Sequence, residues 1–103
     1  MNAPAAAADP AGRRWTDADA VHIDVRGLPP PQPLVAILRL VNEIGESATA
    51  VIVHHDRDPL LLYAELAEIG WTAEHIDGEP GEVRLRLRGP GSPPAVGEPA
   101  RRP

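Results

Sequence analysis

Four histidines, His22, His54, His55 and His75, and the run His55-Asp56-Arg57 are the residues of this chain best suited to binding ligands or moving protons. A metal site would need two or three of the imidazoles to converge with a carboxylate, and the adjacent pair His54-His55 is not a known ligand spacing. Neither a metal nor another cofactor is therefore predicted. The chain has no cysteine, so thiolate nucleophiles, thiolate zinc sites, iron–sulfur ligation and disulfides are all excluded. General acid–base work at His54 or His55 would need a hydroxyl within reach. Ser47 and Thr49 fall at the opposite end of the same predicted strand, so no catalytic residue is assigned.

The elements that must position these groups follow from hydrophobic periodicity. Val21, Ile23 and Val25 alternate with His22 and Asp24, the period-two pattern of a half-buried strand. Leu34, Ile37, Leu38, Val41 and Ile44 then share one helix face, and Gly45 stands where a helix ends, which predicts a helix over 31–44. Thr49 to His54 is a β-branched run and reads as a second strand. Asp58-Pro59 offers a capping acid followed by a first-turn proline, opening a second helix that runs to Gly70 and buries Leu62, Leu66 and Ile69. Trp71 to Asp77 is a less regular third strand. After the turn at Gly78-Glu79-Pro80-Gly81, Val83, Leu85 and Leu87 alternate with Arg84, Arg86 and Arg88 in a fourth.

The order β-α-β-α-β-β predicts an α/β (α+β) two-layer sandwich, a mixed four-stranded sheet with both helices on one face and the other face open. Strand parity puts His22, His54 and Asp24 on the open face and His55 on the helix side, so His22 and His54 can approach across neighbouring strands. Arg84, Arg86 and Arg88 form a ridge on the open face. It reads as a solvated surface balanced by Glu74 and Asp24 or as a contact for another protein, and the lack of interleaved aromatics disfavours RNA.

Parallel neighbouring strands deliver the residues that follow them to one edge, beside both helix N-termini, where open α/β folds often bind ligands. That edge gathers Arg26, Gly27, Gln32, His55, Asp56 and Arg57, the predicted ligand-binding set, with the amides of Leu60 and Leu61 as further donors for a small anion. Pairing of the arginines with Asp24, Asp56 and Asp58 is the competing arrangement.

A chain of 103 residues is enough for one domain, and its formal net charge of -5 argues against a general attraction to nucleic acid or anionic lipid. All ten basic residues are arginine, which with abundant Ala and Pro matches the coding bias of a GC-rich bacterial genome. Residues 1–19 and 89–103 lack apolar periodicity and are expected to be disordered tails around a folded module at 20–88. No secretory signal or span of about twenty apolar residues is present, which predicts a cytoplasmic protein.

The run Gly27-Leu28-Pro29-Pro30-Pro31-Gln32-Pro33 between the first strand and first helix resembles the TusA-like (SirA-like) sulfur-carrier domains, whose hallmark there is Gly-Leu-x-Cys-Pro-x-Pro. Pro31 and Pro33 match the two family prolines, and Pro30 stands where the cysteine would be. The resemblance implies the TusA-like fold, and the missing thiol excludes persulfide transfer. With His55, Asp56, Asp58, Pro59, Leu61, Leu62, Tyr63, Gly70 and Trp71, the chain is similar to a cysteine-less sister family, the domain of unknown function 2249. That family has no established reaction, and its members occur alone or beside hemerythrin-like domains in bacteria with anaerobic or nitrogen-oxide respiration. The expected role is thus a non-catalytic accessory or protein-interaction module tied to respiratory or sulfur metabolism, or else a binder of a small anion or metal at the strand edge.

Overall fold

A computed structural model of the chain describes residues 12–17, 20–45 and 47–91. The elements are β1 (Arg13–Thr16), β2 (Ala20–Asp24), α1 (Gln32–Ile44), β3 (Ala50–His55), α2 (Leu60–Glu68), β4 (Thr72–Ile76) and β5 (Val83–Arg88). They form an α+β fold with a five-stranded mixed sheet in the order β1-β2-β3-β5-β4. β2 and β3 are parallel, whereas β5 runs antiparallel to both β3 and β4 and lies between them. The hairpin at the C-terminal end therefore inserts its last strand into the gap left by the second crossover.

The core lies between the sheet and the two helices. Ile23, Val51, Val53, Leu85 and Leu87 come from the strands, Ile37, Val41, Leu62 and Leu66 from the helices, and all are almost fully buried. At about 1.5–3 kcal/mol for each large aliphatic side chain, this burial outweighs the exposed ion pairs at about 0–1 kcal/mol each. α1 presents Pro33, Ala36, Ile37, Leu40 and Val41 inward at helical spacing. α2 buries only Leu62 and Leu66; Ile69, expected inside, is 46% exposed because the helix ends before it.

The expected four-stranded count is corrected by β1. Arg13–Thr16 lies in the segment expected to be a tail, and all four residues are exposed, so no apolar alternation marked them as a strand. They pair antiparallel with β2, with Trp15 opposite His22 and Arg14 opposite Ile23. Backbone pairing satisfies an edge that β2 would otherwise leave open. Arg14 is fastened to Glu43 of α1 at 2.7 Å, and Trp15 lies over the helix-free face of the sheet. At the other boundary, Gly89 is buried against Trp71 and so belongs with the folded part. Residues 1–11 and 92–103 of the expected tails lie outside the described residues.

Candidate functional site

The turn after β2 and the turn after β3 meet at one edge, as the parallel pairing requires. Gly27 has φ +84°, a left-handed conformation that favours glycine, and its N–H donates to Asp56 Oδ2 at 3.0 Å. This bond ties the two turns together and holds the Asp56 carboxyl below its ordinary range. Arg26 turns away and grips Asp24 through two bonds of 2.9 and 2.8 Å. It is therefore spent on its own strand rather than offered to a ligand. Gln32 is half-buried, and its N–H donates to Pro29 O at 2.9 Å.

Beside this edge lies a cleft of about 280 Å3 between the starts of α1 and α2. Leu28, Pro30, Pro31, Pro33 and Leu34 form one wall, and Pro59, Leu60, Leu61 and Leu62 the other, with His55, Arg57 and Asp58 as polar members. Of the expected ligand set, His55 and Arg57 reach the cleft, while Arg26, Gly27, Gln32 and Asp56 do not line it. The cleft borders the predicted edge but is more apolar than the residues read from the sequence. The family-motif prolines are mostly wall.

Neither helix start is closed by a side chain. α1 has Pro31 and α2 has Pro59 at the capping position, with no side-chain cap bond and no acid in either first turn. The predicted cap, Asp58, is corrected here: its carboxylate accepts the Tyr63 hydroxyl and lies 3.4 Å from His75 Nε2. The helix begins after Pro59, so Asp58 stands one residue too early to cap it. Leu60 N–H, expected as a free donor, bonds Asp58 O at 3.0 Å. Among the described residues, the amides of Leu34 and Leu61 find no acceptor, and both residues line the cleft.

His55 is 2% exposed. Its Nδ1 receives the N–H of Asp56 at 2.9 Å and that of Arg57 at 3.3 Å. Nδ1 also stands 3.2 Å from Asp56 Oδ1, but the two converging backbone donors decide that Nδ1 carries a lone pair. The proton then sits on Nε2. Burial pushes the His55 pKa down, against the weaker opposing pull of Asp56, which favours this neutral form. Nε2 has no hydrogen-bond partner among the described residues, and Arg88 Nε is the buried side-chain polar atom left without one there. Nε2–H therefore keeps its contact with solvent through the cleft that the ring lines.

A second cluster, on the opposite face of the sheet, contains the predicted approach of His22 and His54. Asp17 Oδ2, His22, His54 and Glu82 Oε2 form a chain with contacts of 2.7, 2.9 and 2.7 Å. Trp15 stacks on His22 with ring centroids 5.0 Å apart and leans over His54 at 5.1 Å. Glu82, whose side chain is 1% exposed, also takes two bonds from Arg84; these, with help from the Glu79 amide and His54, pull its pKa down to about 2. Burial pushes the His54 pKa down. The facing nitrogens are engaged with each other, and no group of three or more ligating side chains among the described residues is disposed to hold a metal ion.

The expected arginine ridge is largely paired, Arg84 with Glu82 and Arg86 with Glu74 at 3.5 Å. Sequence reasoning missed Glu82, an acid in a turn next to glycine that gives no sign of burial. It also missed Asp17 and Trp15, which were assigned to a tail.

The fold and the cleft together define a small α+β domain whose loop before α1 is walled by proline and carries no thiol. The family described as "Uncharacterized conserved protein (DUF2249)" matches residues 22–88, and the chain belongs to it. That match begins after β1, so the N-terminal strand lies outside the matched region. No curated protein and no solved structure matches the chain.

Proposed function

We propose that the protein is a non-catalytic accessory module that works by binding a small ligand in the cleft between the starts of α1 and α2. The observation that carries this reading is the cleft itself: an apolar space of about 280 Å3 beside two uncapped helices, with the His55 ring lining it. Its volume is at the lower end of the roughly 300–1,000 Å3 of ligand pockets, which favours a small molecule. Catalysis is disfavoured by the lack of a partner nucleophile among the described residues. Ser47 and Thr49 bond each other at 2.8 Å at the far end of β3, and the Tyr63 hydroxyl is occupied by Asp58. A TusA-like ancestry, a bacterial cytoplasmic setting and a role beside respiratory or sulfur-handling proteins are part of the same proposal.

A second reading, docking of another protein over the cleft, is favoured by Leu60 and Leu61, which are 70% and 73% exposed at its rim. Nuclear magnetic resonance with mixtures of small organic molecules tests the first reading. Saturable amide shifts clustered at Leu34, His55 and Leu61 are expected. Shifts that never saturate, or that avoid these residues, would remove the ligand-binding reading.

A further inference from the structure

We infer that the cleft takes a small monocarboxylic acid with an apolar body, its carboxylate at the helix starts and its hydrocarbon against the proline and leucine walls. This rests on the ligand-binding reading and adds the chemical class. Three donors remain without protein acceptors among the described residues: the amides of Leu34 and Leu61 and the Nε2–H of the largely buried His55 ring. They belong to α1, α2 and β3, and all three residues line the same space. A carboxylate has two oxygens and about four lone-pair positions, enough for three donors, whereas a lone carbonyl oxygen accepts about two.

The electrostatics agree. Two helix N-termini carry positive partial charge toward the cleft, and no acidic residue in either first turn offsets it. Arg57, 63% exposed at the rim, adds a cation that is held only loosely by Asp56 at 3.7 Å. Asp58, which also lines the cleft, is the opposing charge, but its carboxylate is engaged by Tyr63 and His75. The walls separate organic from inorganic anions. Sulfate or phosphate would lose hydration against prolines and leucines and gain no apolar contact, while a hydrocarbon chain buries surface at about 25 cal/mol per Å2.

Titration of the 15N-labelled protein with hexanoate, hexanamide and sulfate as separate probes tests the inference. Hexanoate should saturate, shift the Leu34 and Leu61 amides, and bind at least about tenfold more tightly than hexanamide, as charge-assisted hydrogen bonds require. His55→Gln, which keeps an N–H donor, should retain binding, and His55→Phe should lose about tenfold or more. Hexanamide binding as well as hexanoate would overturn the carboxylate assignment and leave the ligand-binding reading standing. Sulfate binding as tightly as hexanoate would overturn the apolar body, and no saturable binding by any probe would overturn both the inference and the reading beneath it.

Discussion

Glu82→Gln is the substitution whose cost the structure defines most closely. The side chain is 1% exposed and accepts bonds from Arg84 at 3.0 and 2.9 Å and from His54 at 2.7 Å. Its pKa falls from an ordinary 4.5 to about 2, which at about 1.4 kcal/mol per pKa unit makes the ionised form worth about 3 kcal/mol to the folded state. Because the folded value is the lower one, that stability is complete above pH 4.5 and is lost as pH falls toward 2. Glutamine resembles the protonated acid in shape, so urea denaturation at pH 7 should find the variant less stable by about 3 kcal/mol, a large part of a small domain's total. The gap between variant and parent should narrow as pH is lowered through 4. A cost below about 0.5 kcal/mol at pH 7, the scale of an ordinary surface change, or a gap constant with pH, would refute the placement of Glu82 as a buried anion.

Other outcomes follow from the same contacts. Gly89→Ala would put a Cβ 2.8 Å from the Trp71 ring, so thermal unfolding should show a loss of about 1–3 kcal/mol, as in overpacked cores. His54 and His55 both have pKa values pushed below 6.5 by burial; the unfolded chain takes up their protons first, and stability followed by denaturant titration should decline as pH drops below 6.5. Removal of residues 1–17 should destabilise the domain by about 0.5–1.5 kcal/mol for each aromatic contact Trp15 makes with the histidine pair, measured by urea titration. Pro30→Cys should give a thiol more acidic than the free value of about 8.5, read from the pH dependence of its alkylation, because it would stand before the uncapped start of α1.

Much of the core was legible because its residues follow the period of their element: Ile23 and Val25, Val51 and Val53, Leu85 and Leu87 all face the helices as their alternation requires. The approach of His22 to His54 followed from the same parity. β1 was not legible, since Arg13, Arg14, Trp15 and Thr16 bury no alternating face and the strand exists through pairing with β2. Asp58 misled because a capping acid and a first-turn proline are a local signal, and the observed start one residue later hands the carboxylate to Tyr63. For the edge beside the cleft, topology was sufficient to bring the two turns together. Its character was not legible, because Arg26 is claimed by Asp24 two residues away, and the prolines that look like a rigid linker become the walls of a cleft.

The proposed site turns on the state of one ring, so long-range 1H–15N correlation of the His55 imidazole is its most direct test. The structure predicts an unprotonated Nδ1 and a protonated Nε2 at neutral pH, with the Nε2 resonance moving saturably as hexanoate is added. The opposite tautomer, or an Nε2 signal indifferent to a ligand that binds elsewhere, would contradict the claim that His55 offers its proton to the cleft.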